Sequence, residues 1–353
     1  MCCQRSAIQQ TAWGRDSDHA GSQATCAPIE AAQSICDELA QPGHAPSSAS
    51  AAAEPRHASR RAPQSGFNID VAARHSSCLV DSPLARVYDV VCQAPRSGYS
   101  DPEWAAVTEI VLPRRGVFVV ERCGEPTVVD TNAAIVFGLD EEYRVSHPAD
   151  SGDACTVLIL PPELVEAALG DPQGRAARLE PRQHLGVCLV TDALRECQRD
   201  ELEKEEAALL LLAALAPAFE PWPPARPVLG AAQRLRVEQA RALLASAPTT
   251  HWDLRMLAQT LQCSPFHLAR QFRAGTGETI SRYLLRLRLG IAVERLAAGE
   301  RNIAALAIAI GFTHHSHFSA RFRGAFGITP SEARDLLTKR KLSRLRDLIA
   351  ERR

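Results

Sequence analysis

Apolar residues recur at helical spacing through the last third of the chain, and they do so twice in the same order. Residues 267–277 read HLARQFRAGTG and residues 317–327 read HFSARFRGAFG. A short apolar helix with a Leu-Ala pair, Leu257-Ala258 or Leu306-Ala307, precedes each copy. Two copies of a short helix, a tight turn and a second helix predict tandem helix-turn-helix units, whose second helices enter the DNA major groove.

Capping residues fix the helices around these copies. Ser264 and Pro265 start the second helix of the first unit, and its counterpart in the second unit starts near His315. The other helices are predicted over Val228–Leu244, Asp253–Leu261, Thr279–Ala298 and Ile303–Ile310, with a last helix after the capping box at 329–332. At 1.5 Å per residue, Thr279–Ala298 spans about 30 Å, close to the roughly 34 Å of one turn of B-DNA.

Residues 79–160 have a different texture, in which short β-branched runs alternate with turn signals. This rhythm is typical of a small antiparallel sandwich or barrel. Seven strands are predicted, over Arg86–Val91, Val107–Leu112, Gly116–Arg122, Thr127–Val129, Ala133–Phe137, Tyr143–His147 and Cys155–Leu160. After Pro161-Pro162 the pattern is helical again, and helices are predicted over Glu163–Leu169, Arg182–Arg199 and Glu201–Ala216.

The predicted fold is therefore multidomain: an antiparallel β-barrel followed by helices, and then an all-α domain with two helix-turn-helix units joined by a long helix. Its parts are a disordered low-complexity tail (1–75), a β domain (76–161), a helical connector (162–216), a Pro-rich linker (217–227), the tandem helix-turn-helix domain (228–338) and a basic tail (339–353). The Leu-rich stripe of Glu201–Ala216 must be covered, either by packing within the chain or by a second copy in a homodimer.

Charge supports this division. The chain has a formal net charge of −1, but residues 228–353 hold 21 Lys and Arg against 9 Asp and Glu, so the rest of the chain is strongly acidic. Nearly all of these basic residues are Arg, which suits bidentate contacts with phosphate and guanine. A basic module of this kind predicts double-stranded DNA as the partner.

Eleven cysteines without a CxxC pair favour a reduced, cytoplasmic compartment over a disulfide scaffold. The longest apolar run, Ala207–Ala216, is too short to span a bilayer, so no membrane association is expected.

The sequence predicts no metal site. His147 beside Pro148 is interpreted as a turn or packing residue, because the barrel strands do not carry the several His and Glu ligands of a metal enzyme. His314 and His317 lie three residues apart, but no Cys or carboxylate completes a ligand set. The same holds for Cys2-Cys3 and His19 near the start of the chain.

The C-terminal motifs resemble the DNA-binding domain of the AraC/XylS family of bacterial transcription regulators. SPFHLARQF (264–272), IAIGF (308–312), SHFSARFR (316–323) and GITPSEAR (327–334) carry the likeness. The strand rhythm of 114–148 likewise resembles a cupin-type barrel. The family implies an activator that recruits RNA polymerase and a barrel that binds a small-molecule effector; the barrel is alternatively expected to bring two copies together. No cofactor is expected, because the sequence shows no ligand signature.

The resemblance also implies which residues contact DNA. In the first reading helix they are Ser264, Phe266, His267, Ala269, Arg270 and Arg273, and in the second His314, His315, Ser316, Ser319, Ala320 and Arg323. Arg273 and Arg323 are predicted to bind phosphate. Ala269 and Ala320 are shorter than the family's usual residues at these positions, and an alanine there is limited to contacts such as a thymine methyl.

Two other functions stay open on the sequence. The first is a cupin-type enzyme with an attached DNA-binding domain. The second is a thiol redox sensor that uses Cys123, Cys155 or Cys188, although burial is the commoner fate of such cysteines.

Overall fold

The computed structural model of the chain describes residues 34–37, 39–40, 74–171, 174–195, 200–219 and 229–339. An antiparallel β domain precedes a helical domain, as the sequence predicts. The Pro-rich stretch 220–228, the basic tail from 340 onward and most of the N-terminal tail lie outside the described residues.

The β domain contains ten strands in two sheets. The strands are β1 (Arg74–Asp81), β2 (Arg86–Cys92), β3 (Glu103–Trp104), β4 (Glu109–Arg115), β5 (Val117–Arg122), β6 (Glu125–Asp130), β7 (Ala133–Phe137), β8 (Glu142–Ser146), β9 (Asp153–Ile159) and β10 (Ala176–Arg178). Their order is β1-β2-β9-β4-β7-β10 in one sheet and β3-β8-β5-β6 in the other. All the paired strands are antiparallel. Strands β2–β9 thus follow the double-sheet jelly roll found in cupins, which confirms the predicted barrel.

Alternate side chains of the larger sheet face two different cores. Val111, Val157 and Ile159 point into the barrel interior, together with Phe118 of the smaller sheet. Their neighbours along the strands, such as Ile110, Leu112 and Leu158, face outward but are equally buried, because helices cover that side of the sheet. This two-sided burial explains why the strands read as nearly continuous apolar runs.

All seven predicted strands are present, but three others were missed. Strand β1 lies at a sheet edge and its side chains are largely polar and exposed, so it lacks the apolar alternation of a strand. Strand β3 has only two residues. Strand β10 forms the opposite edge of the larger sheet, inside the segment 162–216 that was predicted to be a helical connector.

Three helices belong to the β domain: α1 (Pro162–Leu169), α2 (Pro181–Leu194) and α3 (Glu201–Phe219). The Leu-rich stripe of α3 packs within the chain, since Leu211, Leu212 and Leu215 are buried in the core that α3 shares with the outer face of the larger sheet. Helix α3 also continues through Pro217, where the sequence predicted a break. Phe219 anchors this extension because it is buried and its carbonyl accepts a hydrogen bond from Arg175.

The predicted disorder of the first 75 residues is wrong at two places, because β1 begins at Arg74 and a helical segment lies further upstream. Residues 34–37 and 39–40 are helical, and Ile35, Cys36 and Leu39 are buried among residues of the first helix-turn-helix unit. The amide of Gln239 donates a hydrogen bond of 2.8 Å to the carbonyl of Cys36. This apolar group escaped notice because the surrounding low-complexity composition dominates the segment.

The helical domain contains α4 (Ala231–Ser246), α5 (Leu254–Thr260), α6 (Pro265–Thr276), α7 (Ile280–Ala297), α8 (Ile303–Ala309), α9 (His315–Phe326) and α10 (Pro330–Thr338). The predicted caps are confirmed: Ser264, Thr279, Asn302 and Thr329 each accept a hydrogen bond from a backbone N–H of the first helical turn. None of the helices that the structure describes is long and apolar enough to cross a bilayer.

Both helix-turn-helix units pack against the β domain. Val117, Val119 and Val128 on the outer face of the smaller sheet share a core with the first unit. The second unit shares its core with α2 and α3. Glu238 and Arg241 of α4 also cap the free edge of β6. The amide of Val128 donates a hydrogen bond of 2.8 Å to the carboxylate of Glu238, and its carbonyl accepts one of 2.7 Å from Arg241.

Helix α7 meets the β domain at a glycine. A Cβ at Gly290 would lie 2.8 Å from Oγ1 of Thr131 and 3.5 Å from Nε2 of His184, so the close approach requires the absence of a side chain. We expect Gly290→Ala to destabilise the protein by about 1–3 kcal/mol through overpacking. Urea denaturation measures the loss, and adding Thr131→Ala should recover part of it.

Gly324→Ala is the matched control, because Gly324 lies inside α9 with nothing within 4 Å of an added Cβ. It should stabilise the helix by about 0.5–1 kcal/mol. Equal effects of the two substitutions would contradict the close contact at Gly290.

Candidate nucleic-acid interface

The first unit consists of α5, a turn and α6. The turn places Gln262 in the left-handed region at φ +51°, and the amide of Cys263 bonds back to the carbonyl of Ala258 at 3.0 Å. The hydroxyl of Ser264 accepts from the amide of His267 at 3.2 Å and begins α6. Leu268 and Phe272 are fully buried, which leaves the opposite face of α6 in solvent.

The second unit repeats this geometry in α8, a turn and α9. Gly311 takes the left-handed conformation at φ +89°, and the amide of Phe312 bonds back to the carbonyl of Ala307 at 3.0 Å. A Cβ at Gly311 would lie 2.9 Å from Cζ of Arg288, and the left-handed φ favours glycine at this turn. Phe318, Phe322 and Phe326 form the buried side of α9.

The twelve predicted DNA contacts lie on the outward faces of α6 and α9 and at their N-termini. Eleven of them are exposed and Ser319 is half-buried. Phe266 is 71% exposed, an unusual position for a large apolar side chain and one suited to a contact with a base or sugar. Helices α6 and α9 pack into the cores of their units through their buried faces. Their outward faces are therefore open to a ligand.

Charge on these faces is uniformly neutral or positive. Neither Pro265–Thr276 nor His315–Phe326 contains an acidic residue, and both helices present Arg side chains outward. One exposed basic residue of α9 was missed: Arg321, whose Nε donates to Nε2 of His317 at 3.1 Å. Its position one turn after His317 was the available signal.

The histidines at the start of α9 have separate roles. His317 contacts the ring of Phe312 at a centroid distance of 5.5 Å and accepts the hydrogen bond from Arg321. Nε2 of His315 lies 3.3 Å from the hydroxyl of Ser319. His314 occupies the N-cap position of α9. His317 therefore behaves as a packing residue at the edge of the reading face.

Helix α7 joins the two units and is 18 residues long, or about 27 Å. Tyr283, Leu284 and Leu287 in its first half belong to the core of the first unit, whereas Leu289, Val293 and Leu296 belong to that of the second. Arg288 ties the units together, because it donates to the carbonyls of Pro248 (2.8 Å), Thr250 (3.0 Å) and Gly311 (3.0 Å). Arg286 of the same helix is buried and Arg288 is half-buried, so both side chains make contacts within the chain.

Comparison with known proteins agrees with this geometry. A helix-turn-helix domain family matches residues 257–336. A putative AraC-like transcription regulator of Streptomyces lividans is 27% identical over 244 residues, which cover 67% of this chain and 73% of that protein. The transcriptional activator RhaR of Pectobacterium carotovorum is 31% identical over 147 residues, 40% of this chain and 51% of its own length.

Two further curated relatives, regulators from Escherichia coli and Haemophilus influenzae, are matched over only 33% and 54% of their length. Among solved structures, ToxT from Vibrio cholerae aligns with 76% of this chain and 99% of its own, at 14% identity and a TM-score of 0.30.

Proposed function

We propose that this chain is a sequence-specific DNA-binding regulator of transcription. The premise is a C-terminal domain that belongs to the AraC type of helix-turn-helix domains. One observation carries the proposal: two helices that follow turns with the same backbone hydrogen bond, and that bury the same face, present matching exposed residues, Arg273 and Arg323, to solvent. A rigid helix of about 27 Å between the units suits recognition of two successive segments of the major groove on one face of DNA.

The exposed residues divide into two roles. Arg270 lies in the middle of the outward face of α6, where a guanidinium reaches the O6 and N7 atoms of guanine. Arg273 lies one turn closer to the C-terminus, and Arg321 and Arg323 occupy the corresponding part of α9. We assign these three residues to phosphate, which fixes the position of the domain but does not read sequence.

Replacement of Arg270 tests the assignment. We expect Arg270→Ala to lower the affinity for the specific site by about 1–3 kcal/mol and to relax the base preference at one position, because one bidentate contact is lost. Arg273→Ala is the matched control and should weaken specific and random DNA alike, with a smaller salt dependence. Titration of both variants with selected and scrambled duplexes measures the difference; an unchanged affinity and base preference of Arg270→Ala would refute its reading role.

We further propose that the protein acts in the cytoplasm, without catalysis, as an activator that contacts RNA polymerase. The support is the naming of its relatives as regulators, and of RhaR as an activator. A signal from the β domain would reach the reading helices through the contacts at Val128 and Gly290, because these join the barrel to α4 and α7. A homodimer remains compatible with this arrangement and is tested by sedimentation of the full chain.

The thiol-sensor alternative receives little support. Burial raises the pKa of Cys155 and of Cys188 well above the usual range, so both thiols resist forming the reactive thiolate. Cys123 is exposed, in the turn between β5 and β6.

A further inference from the structure

Three side chains of different chemistry converge at one end of the barrel interior, in a part of the molecule separate from the reading helices. Cys92 ends β2, His147 follows β8 and Asp153 begins β9. All three are buried, and one donor atom from each lies within 4.8 Å of the others. Among the residues that the structure describes, this is the only such group of three potential metal ligands.

The separations of the donor atoms have the size that one metal ion would impose. Sγ of Cys92 lies 3.6 Å from Nε2 of His147, and the same Nε2 lies 3.2 Å from Oδ2 of Asp153. Ligands placed about 2.0–2.3 Å from Zn²⁺ at tetrahedral angles are about 3.3–3.6 Å from one another. Only small adjustments of the side chains would therefore be needed to surround an ion.

The carboxylate of Asp153 supplies an independent observation. Oδ2 is buried without a hydrogen bond of normal geometry, and it forms an ion pair with Nε2 of His147 at 3.2 Å when the imidazole is protonated. Asp153 as a whole is 4% exposed. The other oxygen, Oδ1, lies 3.4 Å from Sγ of Cys155 and is held by that contact. Buried carboxylate oxygens are normally hydrogen-bonded or coordinate a metal, and Asp153 lines the same small cavity as Cys92 and His147.

The space itself selects an ion over an organic molecule. The cavity measures about 20 Å³, enough for one particle the size of water. Apart from the polar residues at this end, its lining is apolar, with side chains such as Val90, Val111 and Phe118. Arg74 also lines it, and burial lowers the pKa of its guanidinium, although the charge of Glu109 partly opposes this shift.

We propose that Cys92, His147 and Asp153 bind one Zn²⁺ ion. A thiolate, an imidazole and a carboxylate form a ligand set typical of zinc. One thiolate and one carboxylate neutralise the two positive charges, so the occupied site adds no net charge to an apolar cavity. The ion would join β2 and β9 of one sheet to the end of β8 in the other, and Cys155 would orient Asp153.

Metal titration of the reduced, chelator-treated full-length protein tests the proposal. We expect one tightly bound equivalent of Zn²⁺, an increase in thermal midpoint on its addition, and, with Co²⁺ as the probe, a thiolate-to-cobalt charge-transfer band. Cys92→Ser should abolish that band, and Asp153→Asn, which preserves the side-chain shape, should lower Zn²⁺ affinity more than about 100-fold. Circular dichroism confirms that each variant is folded.

Two controls separate this site from other thiols. Cys78→Ser removes an exposed cysteine of β1, and a Cys2→Ser/Cys3→Ser double variant removes the pair near the start of the chain; both should bind Zn²⁺ as the unaltered protein does. The proposal is overturned if the protein binds no equivalent of Zn²⁺. It is also overturned if the folded Asp153→Asn variant binds Zn²⁺ with full affinity. DNA binding is measured separately on the same samples and does not decide the outcome, since the site lies away from the reading helices.

Discussion

Arg286→Met is expected to destabilise the protein by about 3 kcal/mol or more, because the buried carboxylate of Glu278 loses its nearest positively charged partner. Arg286 is 5% exposed, and its Nη1 lies 3.3 Å from Oε1 of Glu278, which is itself buried. Its Nη2 donates to the carbonyl of Leu179, in the segment between β10 and α2. Breaking a buried ion pair costs about 3–5 kcal/mol, since the remaining charge keeps its desolvation penalty.

The remaining partners of Glu278 moderate this loss. Arg178 and Arg282 each approach the carboxylate to 3.8 Å, so the lower end of the range is expected. Replacing both members of the pair, as in Arg286→Met/Glu278→Leu, should recover much of the stability, because no uncompensated charge is then buried. The unbonded carbonyl of Leu179 limits the recovery.

Arg282→Met is the matched control. It removes the same type of side chain from the same carboxylate, one turn earlier in α7, but the Arg282 side chain is 67% exposed. An exposed pair contributes about 0–1 kcal/mol. Urea denaturation followed by circular dichroism gives the free energies of unfolding; similar losses for Arg286→Met and Arg282→Met would show that burial of the pair has no energetic consequence.

The stability of the protein should contain two opposing dependences on pH. Burial raises the pKa of Glu109 to about 7 from its usual 4.5, and Arg74 only partly opposes this. Between pH 4.5 and 7 the folded protein therefore holds a proton that the unfolded chain releases, and stability falls as pH rises. The full penalty, about 3 kcal/mol at 1.36 kcal/mol per pKa unit, is reached above pH 7.

His184 acts in the opposite direction. Burial, reinforced by Arg114 and Arg286, lowers its pKa from 6.5 to about 4, although a hydrogen bond with the backbone of Gly290 favours the charged form. Below pH 6.5 the imidazole of His184 is protonated in the unfolded chain but stays neutral in the folded protein, so stability falls as pH decreases towards 4. The loss is again about 3 kcal/mol.

Single variants should separate the two dependences. Relative to the unaltered protein, the Glu109→Gln variant should become steadily more stable as pH rises from 4.5 to 7. The His184→Gln variant should become steadily more stable, on the same comparison, as pH falls from 6.5 to 4. Each variant is compared with the unaltered protein by urea denaturation across this range, so that the other titrating groups cancel. A stability difference independent of pH for either variant would contradict the burial of that group.

The sequence was most informative where local rules determine the structure. The helices from Leu254 onward were predicted nearly to the residue, because Ser264, Thr279, Asn302 and Thr329 are caps and Gly311 is a turn glycine. The twelve reading residues came from the resemblance to the AraC/XylS family, and the structure places them on the outward faces and at the N-termini of α6 and α9. Which of them contact bases remains a prediction.

Long-range contacts were beyond the sequence. Arg241 and Glu238 look like ordinary surface charges of a helix, yet they cap the edge of β6. Gly290 lies inside a helix pattern that offers no sign of its contact with Thr131. Cys92 lies 55 residues before His147, so the interpretation of His147 as a turn or packing residue missed the group that strand pairing brings together.

Selection of DNA ligands from a random pool with the full-length protein tests the central claim most directly. Two reading helices held by α7 predict one enriched motif with two boxes, about 10–10.5 base pairs apart, that lie on one face of the duplex. Arg270→Ala should then lose preference at one position within a single box. Enrichment of no sequence over the random pool, or of a single box only, would contradict paired recognition by α6 and α9.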